Sequence, residues 1–443
     1  MRLLTMLCLG VLLAGCAARQ DQEPSPPPVD DALVALPLQW WVGLGDPTLA
    51  RLVELALQDN LDLAVASQRI REQRALRRQS SGALFPSLYG TGRHEKGKVR
   101  DGHDESYFYG LDLAWELDLF GRLRALDRSA QAGLQAARAD YQALRLSLIS
   151  EVATTYLRYR LALAQAQIAE RAADSQEQVA RITRVRFDQG TASGLDVERF
   201  DTQVAITRAA VPRAREQAAA ARYALGYLLN REQAEIDALL GTATELPAAP
   251  DDTQLLALFE LPASSLRGRP DVRAAELRAQ AADASLEAAR ALRFPQLSLG
   301  ALVGIEQGVS GTRWSLGGQV LQPIFDFGLI RAQIEASDAR REQALLGYQA
   351  TVGQALRETR SAISAYSEGL ARQRLLDAAI RASANATDLA RRQYDAGTVS
   401  LIEVLDAERT QFEAQLDQVQ AAADVALRWV EIYRTLGLAP PLP

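Results

Sequence analysis

Cysteine and histidine are scarce in this chain of 443 residues, which has two of each. The sequence has no metal-spaced cysteine or histidine cluster, no G-x-x-x-x-G-K-[ST] phosphate loop and no G-x-S-x-G nucleophile motif. His94 and His103 lie near Asp101 and Asp104 in a charged, glycine-rich segment, residues 92–106, for which a solvated loop is favoured over a metal site. We therefore expect no enzyme, no cofactor and no bound metal.

The chain also has no large excess of one charge, and it has no apolar segment at the N-terminus that is long enough to span a bilayer. The formal net charge is -6, and acidic and basic residues are interspersed, which argues against a nucleic-acid surface. The apolar run of residues 1–13 contains only Arg2 as a charge and is too short to span a bilayer. A targeting signal is the better interpretation of this run.

The end of this run, Leu13-Ala14-Gly15-Cys16, resembles the processing signal of bacterial lipoproteins. The resemblance implies cleavage before Cys16 and acylation of Cys16, with a plain signal peptide as the alternative. Cys8 would leave with the signal, so the mature chain could form no intramolecular disulfide. Ala17 follows Cys16 in place of the aspartate that retains lipoproteins in the inner membrane, which favours the outer membrane. The proline-rich residues 21–31 are typical of an extended linker.

The rest of the chain is a tandem repeat. Residues 187–195 (FDQGTASGL) match residues 394–402 (YDAGTVSLI) at an offset of 207, and Phe120-Gly121 matches Phe327-Gly328 at the same offset. Upstream the offset is 209, where Phe85-Pro86 matches Phe294-Pro295. A constant order with one small shift indicates duplication of a unit made of several helices and strands. We expect two similar halves.

Each half contains segments in which apolar and polar residues alternate, as in β-strands. In the first half the alternation runs from Tyr107 to Leu117, and in the second it includes residues 313–320. Each of these strands is expected to have a shorter partner just after its Phe-Pro step. The length favours strands that cross an outer membrane over those of a soluble sandwich, which average about five or six residues. The expected lipid-facing residues are Tyr107, Tyr109, Leu111, Leu113, Trp115, Trp314, Leu316 and Val320.

Four such strands cannot close a membrane barrel, because known barrels begin at about eight strands and open edges are not tolerated in lipid. Two copies would form a barrel filled by side chains, and three copies would form a wider one with room for a channel. The opposite strand face carries Asp112, Glu116, Gly317 and Gln319. This polar face favours a water-filled lumen and hence a homotrimer.

Two very long helices are predicted at about residues 122–187 and 329–394, where no proline interrupts an Ala-, Gln- and Arg-rich sequence. Each would reach roughly 100 Å and is followed by a return helix, at about residues 195–230 and 401–436. Pro212 is expected to kink the first return helix. The turns lie at Gly190-Thr191 and Gly397-Thr398, where glycine permits the chain to reverse.

Three segments carry a family resemblance: LRGRPDVRAAE at residues 266–276, QPIFDFG at 322–328 and VLDAER at 404–409. They resemble the outer membrane efflux proteins, the TolC-like outer membrane factors, and in particular the lipoprotein branch that serves resistance-nodulation-division pumps. The resemblance implies a mixed α and β membrane protein with four transmembrane strands and two long helical hairpins per chain. Three chains would form a twelve-stranded β-barrel that continues into a periplasmic α-helical barrel.

The resemblance also implies partners and functional residues. The partners would be a periplasmic adaptor protein and an inner-membrane resistance-nodulation-division transporter, and the chain itself would be a passive exit duct for small molecules such as drugs. The hairpin tips, at Gly190, Thr191, Gly397 and Thr398, would contact the adaptor. The periplasmic gate would contain Tyr394, Ile402, Glu403 and Asp406, although Glu403 and Asp406 could instead be ordinary solvated charges. Val399 stands where some members have a locking arginine.

These inferences divide the chain into five parts. Residues 1–15 are the lipoprotein signal peptide and 16–36 the acylated N-terminus and linker. Residues 37–238 and 263–443 are the two efflux repeats, joined by an equatorial connector at 239–262. Two alternatives for function remain: the duct of a type I protein secretion system, and a lipid-tethered periplasmic coiled coil with a structural role.

Overall fold

The structure is a computed structural model, and it describes residues 36–99, 102–250, 254–260, 262–307 and 310–438. The predicted signal peptide, the acylation site at Cys16 and nearly all of the linker lie outside the described residues. Among the described residues, none of the helices combines the length and the apolar content that a bilayer crossing needs.

The described chain consists of thirteen labelled elements and three short 3-10 helices. The 3-10 helices are Trp40–Leu44, Leu258–Glu260 and Ala263–Gly268. The elements of the first half are α1 (Pro47–Asp59), α2 (Leu61–Gly82), β1 (Ser87–Val99), β2 (Gly102–Leu117), α3 (Arg122–Asp188), α4 (Gly194–Leu229) and α5 (Gln233–Leu240). They are followed by α6 (Gln254–Ala257), α7 (Pro270–Ala291), β3 (Gln296–Glu306), β4 (Arg313–Leu321), α8 (Leu329–Asp395) and α9 (Leu401–Leu436).

The repeat predicted from the sequence is present in the helices. Helices α2 and α7 both have 22 residues, α3 and α8 both have 67, and α4 and α9 both have 36. Helix α4 continues through Pro212. At 1.5 Å per residue the long helices reach roughly 100 Å, so the prediction of two extended hairpins is confirmed.

The four strands form one antiparallel sheet in the order β1-β2-β3-β4. The β2–β3 pair joins the two halves, with Leu117 opposite Leu297 and Tyr109 opposite Ile305. Within this sheet β1 and β4 are edge strands. Each therefore has one row of backbone groups that the sheet itself does not pair.

Two details of the strand prediction are wrong. The expected loop at residues 92–106 is largely strand, because β1 continues to Val99 and β2 begins at Gly102. Backbone pairing between the two strands satisfies the hydrogen-bonding groups of this polar segment, so its charged side chains do not prevent strand formation. In the second half, β4 with 9 residues is shorter than its Phe-Pro partner β3 with 11, the reverse of the expectation.

The main hydrophobic core lies where the two hairpins meet the N-terminal segment and the connector. The indole of Trp40 stacks on Tyr433 at 5.7 Å between ring centroids and contacts Trp429 edge-on. Beside it, the Tyr156 hydroxyl donates to Asp46 Oδ2 at 2.6 Å and accepts from Arg160 Nε at 2.7 Å. Burial and the neighbouring Asp46 carboxylate raise the pKa of Tyr156, so this hydroxyl stays protonated.

Arg269 closes the end of this core. Its guanidinium donates to the Thr435 carbonyl oxygen at 2.7 Å and lies 2.7 Å from Asp271 and 3.3 Å from Glu358. The turn that follows α9 contains Gly437, whose backbone is left-handed with φ of 78°. A Cβ at this position would lie 2.7 Å from Arg269 Cγ, which leaves no room for a side chain.

We expect Gly437→Ala to destabilise the fold more than Gly45→Ala. Both glycines have positive φ, of 78° and 68°, and alanine there costs about 1–2 kcal/mol in backbone strain. Only Gly437 adds a steric overlap, since nothing lies within 4 Å of a Cβ at Gly45. Thermal unfolding followed by helical circular dichroism measures the difference, and equal losses for the two variants would refute the close-packing argument.

Candidate functional site at the hairpin tips

The two hairpin tips have the same backbone geometry. Gly190 and Gly397 are left-handed, with φ of 74° and 72°. The Thr191 N–H donates to the Arg186 carbonyl at 2.8 Å, and the Thr398 N–H donates to the Gln393 carbonyl at 2.9 Å. These bonds close the C-termini of α3 and α8, as in a Schellman motif. The four residues predicted to contact an adaptor therefore lie at the exposed hairpin ends, two in each hairpin.

Each return helix starts with a capping box. Ser193 and Asp196 cap α4, and Ser400 and Glu403 cap α9. The Glu403 carboxylate accepts a hydrogen bond from the Ser400 N–H at 2.6 Å. The structure therefore gives Glu403 a local role in starting the helix, in addition to its predicted place near the gate.

Ile402 and Asp406 lie one turn apart on the same face of α9. Ile402 is 52% exposed, and Asp406 is exposed and accepts a hydrogen bond from Arg409 at 2.7 Å. The opposite face of the helix is buried, with Leu401 at 6% and Val404 at 0% exposure. Ile402 and Asp406 thus lie together on the side of α9 that faces away from the rest of the chain, whereas the fourth predicted gate residue, Tyr394, belongs to α8.

Tyr394 connects the two hairpins. The guanidinium of Arg186, in the last turn of α3, lies 4.4 Å from the centroid of the Tyr394 ring and 3.7 Å from the carboxylate of Asp395. Both neighbours belong to α8, so Arg186 is a cation from the first repeat that contacts the second. Val399, by contrast, carries no charge. In this chain the arginine that contacts the other hairpin is Arg186, which belongs to the first hairpin.

A small apolar cluster lies behind this contact. Phe200 is fully buried and packs with Ala180, Val204 and Leu401, and Tyr394 borders the same cluster. The residues come from α3, α4 and α9. The two hairpins are therefore held together near their tips by packing as well as by the contacts of Arg186.

The sequence analysis missed a half-buried ion pair slightly farther from the tips, in which the carboxylate is buried and the guanidinium is partly exposed. Arg391 of α8 donates to Glu408 Oε1 of α9 from Nε at 3.0 Å and from Nη2 at 2.8 Å. The same Nη2 donates to Ser175 Oγ of α3 at 2.7 Å. Arg391 therefore links three helices and both repeats.

Glu408 is 4% exposed, and its Oε2 has no hydrogen-bond partner among the described residues. Burial raises the pKa of this carboxyl, and the nearby Arg391 opposes the shift. The sequence does contain a signal: Leu401, Val404 and Glu408 share the 3-4 spacing of one helix face. A glutamate on an otherwise apolar face indicates a buried carboxylate.

The sheet register places the predicted lipid-facing residues on one face. Residues opposite each other in an antiparallel pair point to the same side. Leu111 lies opposite Val303, which in turn lies opposite Trp314. Leu113 and Ala301 align with Leu316 in the same way. Of these residues Trp314 and Leu316 are the most exposed, at 75% and 74%.

The remaining predicted residues of this face follow the same register. Tyr109, Leu111 and Val320 are exposed, Tyr107 and Leu113 are half-buried, and Trp115 donates from Nε1 to the Leu84 carbonyl at 3.0 Å. The other face carries the row Tyr89, Asp112, Leu302 and Ser315, and the row Glu116, Ser298 and Gln319. One side of the sheet is therefore mainly apolar and the other is mainly polar.

The possible metal site in the β1–β2 strand pair is only partly within the described residues. The imidazole of His94 stacks on Tyr107 at 4.4 Å between ring centroids. The side chains of Asp101, His103 and Asp104 lie outside the described part. In that part no group of three or more metal-ligating residues occurs.

We expect Glu408→Gln to remove a pH dependence of stability. Because the folded state raises the pKa of Glu408 above its ordinary value of 4.5, the folded state binds this proton more tightly. The resulting stabilisation is present below pH about 4.5 and is lost as pH rises through the folded-state pKa. Glu408→Gln should reduce the change of the thermal unfolding midpoint with pH between pH 4 and 7. The exposed Glu413→Gln should leave this dependence as it is in the native protein. Identical slopes for native protein and Glu408→Gln would contradict the prediction.

Comparison with known proteins agrees with this architecture. The family model described as outer membrane efflux protein matches residues 52–231 and 261–438, one match in each repeat. The chain is 31% identical to the solvent efflux pump outer membrane protein SrpC of Pseudomonas putida, over 88% of this chain and 85% of SrpC. It is also 31% identical to the pyoverdine export outer membrane protein OpmQ of Pseudomonas aeruginosa, over 90% of this chain and 87% of OpmQ.

Among solved structures, the outer-membrane channel OprN is similar over 94% of this chain and 97% of its own, with a TM-score of 0.84 and 33% identity. The similarity extends over most of the chain, and it confirms the TolC-like fold expected from the sequence motifs. The relatives of this chain are components of outer-membrane efflux systems, and this protein is also such a component. The chain belongs to the outer membrane efflux protein family.

Proposed function

We propose that three copies of this chain form the passive exit duct of a tripartite efflux pump, with no catalytic activity of their own. The single observation that carries the proposal is the four-stranded sheet with two edge strands and one mainly apolar face. In hydrocarbon, an unpaired strand edge leaves N–H and C=O groups without partners, each at a cost of several kcal/mol. Pairing β1 of one copy with β4 of the next removes every edge once the ring closes.

Three copies fit better than two. With four strands per chain, two copies give an eight-stranded barrel whose interior side chains fill, and three give twelve strands and a wider interior. The inner face would carry Asp112, Glu116, Ser298, Gly317 and Gln319. Polar groups and glycines suit a water-filled lumen. The helical hairpins would continue this lumen as an α-helical barrel through the periplasm.

The duct has no means of using energy, so its partners must supply it. We propose that a periplasmic adaptor contacts the hairpin tips at Gly190, Thr191, Gly397 and Thr398, and that an inner-membrane resistance-nodulation-division transporter loads the duct. Relatives named for solvent, toluene and pyoverdine export support small molecules as the cargo. These names favour small-molecule efflux over the alternative of a type I protein secretion duct.

The periplasmic end is proposed to be a gate. Threefold symmetry would gather three copies of Ile402 and Asp406 from the exposed face of α9, with Glu403 beside them. Tyr394 and Arg186 would hold the two hairpins of each chain together in the closed state. Opening would separate the hairpins and break the Arg186 contacts with Tyr394 and Asp395.

Single-channel recording in planar bilayers tests both the duct and its gate. We expect the native protein to form pores with low conductance, and Arg186→Gln to raise conductance several-fold by releasing the second hairpin. Arg184→Gln is the matched control, because Arg184 lies in the same turn but pairs with Asp201 of its own hairpin. A protein that never forms pores would rule out the duct, and equal conductance for the two variants would rule out the role of Arg186.

The N-terminus is proposed to anchor the duct to the outer membrane through lipid on Cys16. Residues 1–15 would be removed as the signal peptide, and residues 16–36 would join the lipid to the first repeat, residues 37–238. The connector, residues 239–262, and the second repeat, residues 263–443, would complete the chain.

We expect Cys16→Ser to abolish incorporation of labelled palmitate and to leave pore formation unchanged, because the barrel itself spans the membrane. Mass spectrometry of the mature N-terminus gives the direct measurement, and Cys8→Ser is the control that should remain acylated. Acylation of Cys16→Ser at the native level would show that the lipid is attached at another residue.

A further inference from the structure

A groove runs along the long helices on the face opposite the main core. It has a volume of about 1030 Å³ and is lined by α3, α4 and α9, with α3 between the other two helices. Arg158 of α3 lines the groove two residues after Tyr156, and Glu431 of α9 lines it two residues after Trp429. Both aromatic residues belong to the core. Because positions two apart point to opposite sides of a helix, the groove and the core lie on opposite faces.

The N-terminal segment and the connector pack on the core face of the long helices. A lumen must stay free of these segments. The core face is therefore the outer side of the proposed duct, and the groove opens to its lumen.

Three arginines line this groove, one from each helix: Arg158, Arg213 and Arg428. All three side chains are exposed, and none of them forms an ion pair or a hydrogen bond among the described residues. A guanidinium group presents its donors in a planar fork that matches the oxygen atoms of a carboxylate or phosphate group. The groove therefore has three cationic groups whose donors are open to an anionic ligand.

The two carboxylates that line the groove, Asp424 and Glu431, are already paired. Asp424 lies 3.5 Å from Arg372 Nη1 and accepts a hydrogen bond from Gln420 Nε2 at 2.9 Å. Glu431 accepts from Nε and Nη2 of Arg434 at 2.9 and 2.6 Å. Neither Arg372 nor Arg434 lines the groove. Because other arginines neutralise these carboxylates, the groove keeps an excess of positive charge.

A contact between helices shows how two of the arginines are placed. Gln165 Nε2 of α3 donates to Gln420 Oε1 of α9 at 3.2 Å. Arg158 lies about two turns before Gln165, and Arg428 lies about two turns after Gln420. Since α3 and α9 run in opposite directions, Arg158 and Arg428 lie at nearly the same level of the groove.

The third arginine, Arg213, lies at the other end of the groove. The ion pair between Arg215 and Glu170, at 2.6 Å, fixes the register of α4 against α3. Arg213 is therefore close to the level of Glu170, which is about twelve residues, or about 18 Å, from Arg158 along α3. Arg158 and Arg428 thus form a cationic pair, and Arg213 is separate from it.

Between these ends the floor of the groove is apolar. It consists largely of small side chains of α4, such as Ala214 and Ala221, with Leu161 of α3 and Leu427 of α9. Small side chains leave room for a ligand to lie along the helices. An apolar floor with a few convergent charged groups is typical of sites that bind organic molecules with one polar end.

We propose that this groove binds amphiphilic carboxylates, with the carboxylate group between Arg158 and Arg428 and the apolar body along the alanine floor toward Arg213. In the proposed duct, on which this inference rests, threefold symmetry places three such sites on the lumen wall. Organic anions with an apolar body are therefore a class of cargo that the wall of the duct itself recognises.

Block of single-pore currents in planar bilayers tests the site, with 2-naphthoate as the probe. We expect 2-naphthoate to reduce the current in a saturable way. Arg158→Gln and Arg428→Gln should each raise the half-blocking concentration about tenfold, because a hydrogen bond between charged groups contributes roughly that factor to binding. Arg357→Gln is the matched control. Arg357 is exposed and has no ion-pair partner among the described residues, but its helix, α8, does not line the groove.

The outcomes separate the groove from the duct. Weaker block in the Arg158 and Arg428 variants, with native block in Arg357→Gln, supports the site. Pores that 2-naphthoate does not block, or blocks equally in all variants, overturn the site and leave the duct intact. A preparation that forms no pores overturns the duct and with it the luminal position of the groove.

Arg213→Gln tests where the carboxylate binds within the groove. This variant removes the same charge at about 18 Å from the cationic pair, beyond the roughly 8 Å over which a charge acts in 0.15 M salt. We expect its half-blocking concentration to remain close to the native one. A tenfold increase in Arg213→Gln together with none in Arg158→Gln would overturn the assignment of the carboxylate to the cationic pair.

Filling the groove tests the apolar floor. Ala220 lines the groove and is exposed, so Ala220→Trp should occupy its space without changing any charge and weaken the block. Ala220→Ser, which adds one oxygen atom, is the control and should be blocked like the native protein. Acetate has the carboxylate without the ring and should not block at concentrations at which 2-naphthoate does. Equal block by acetate and 2-naphthoate would overturn the role of the apolar floor.

Discussion

The requirement that every backbone polar group have a hydrogen-bond partner in hydrocarbon is the constraint on which this molecule depends. One chain provides four strands and therefore two edges. A single sheet of this size cannot meet the requirement alone, whereas a ring of identical sheets can. The apolar face, the polar face and the oligomeric state are all consequences of closing that ring.

The duplication also bears on ring closure, because the two halves of the chain are similar and already join each other. The junction between repeats inside the chain is formed by the β2–β3 pair and by α7 against α3. Because each chain contains two similar repeats, a ring of such chains would contain twice as many repeats as chains.

The helical hairpins combine stiffness along their length with weaker links near their tips. Stiffness comes from long uninterrupted helices and from a core in which Asp46, Tyr156 and Arg160 connect the N-terminal segment to α3. Near the tips the links between hairpins are fewer and more polar: Arg186 against Tyr394, and Arg391 with Glu408 and Ser175. Contacts of this kind are weaker than a packed core and depend on pH and salt.

The sequence by itself determined the repeat, the boundaries of the four hairpin helices to within a residue or two, the hairpin turns at Gly190 and Gly397, and the apolar stripe of β2. These features depend on local periodicity, on glycine and proline, and on the similarity between the two halves, all of which can be read along the chain. Only the tertiary structure decided that residues 92–106 are mostly strand, that Arg186 reaches Tyr394 across the hairpins, and that Glu408 is buried against Arg391 and Ser175. Strand pairing and contacts between residues 17 to more than 200 positions apart depend on how helices and strands pack in space, which no local pattern encodes.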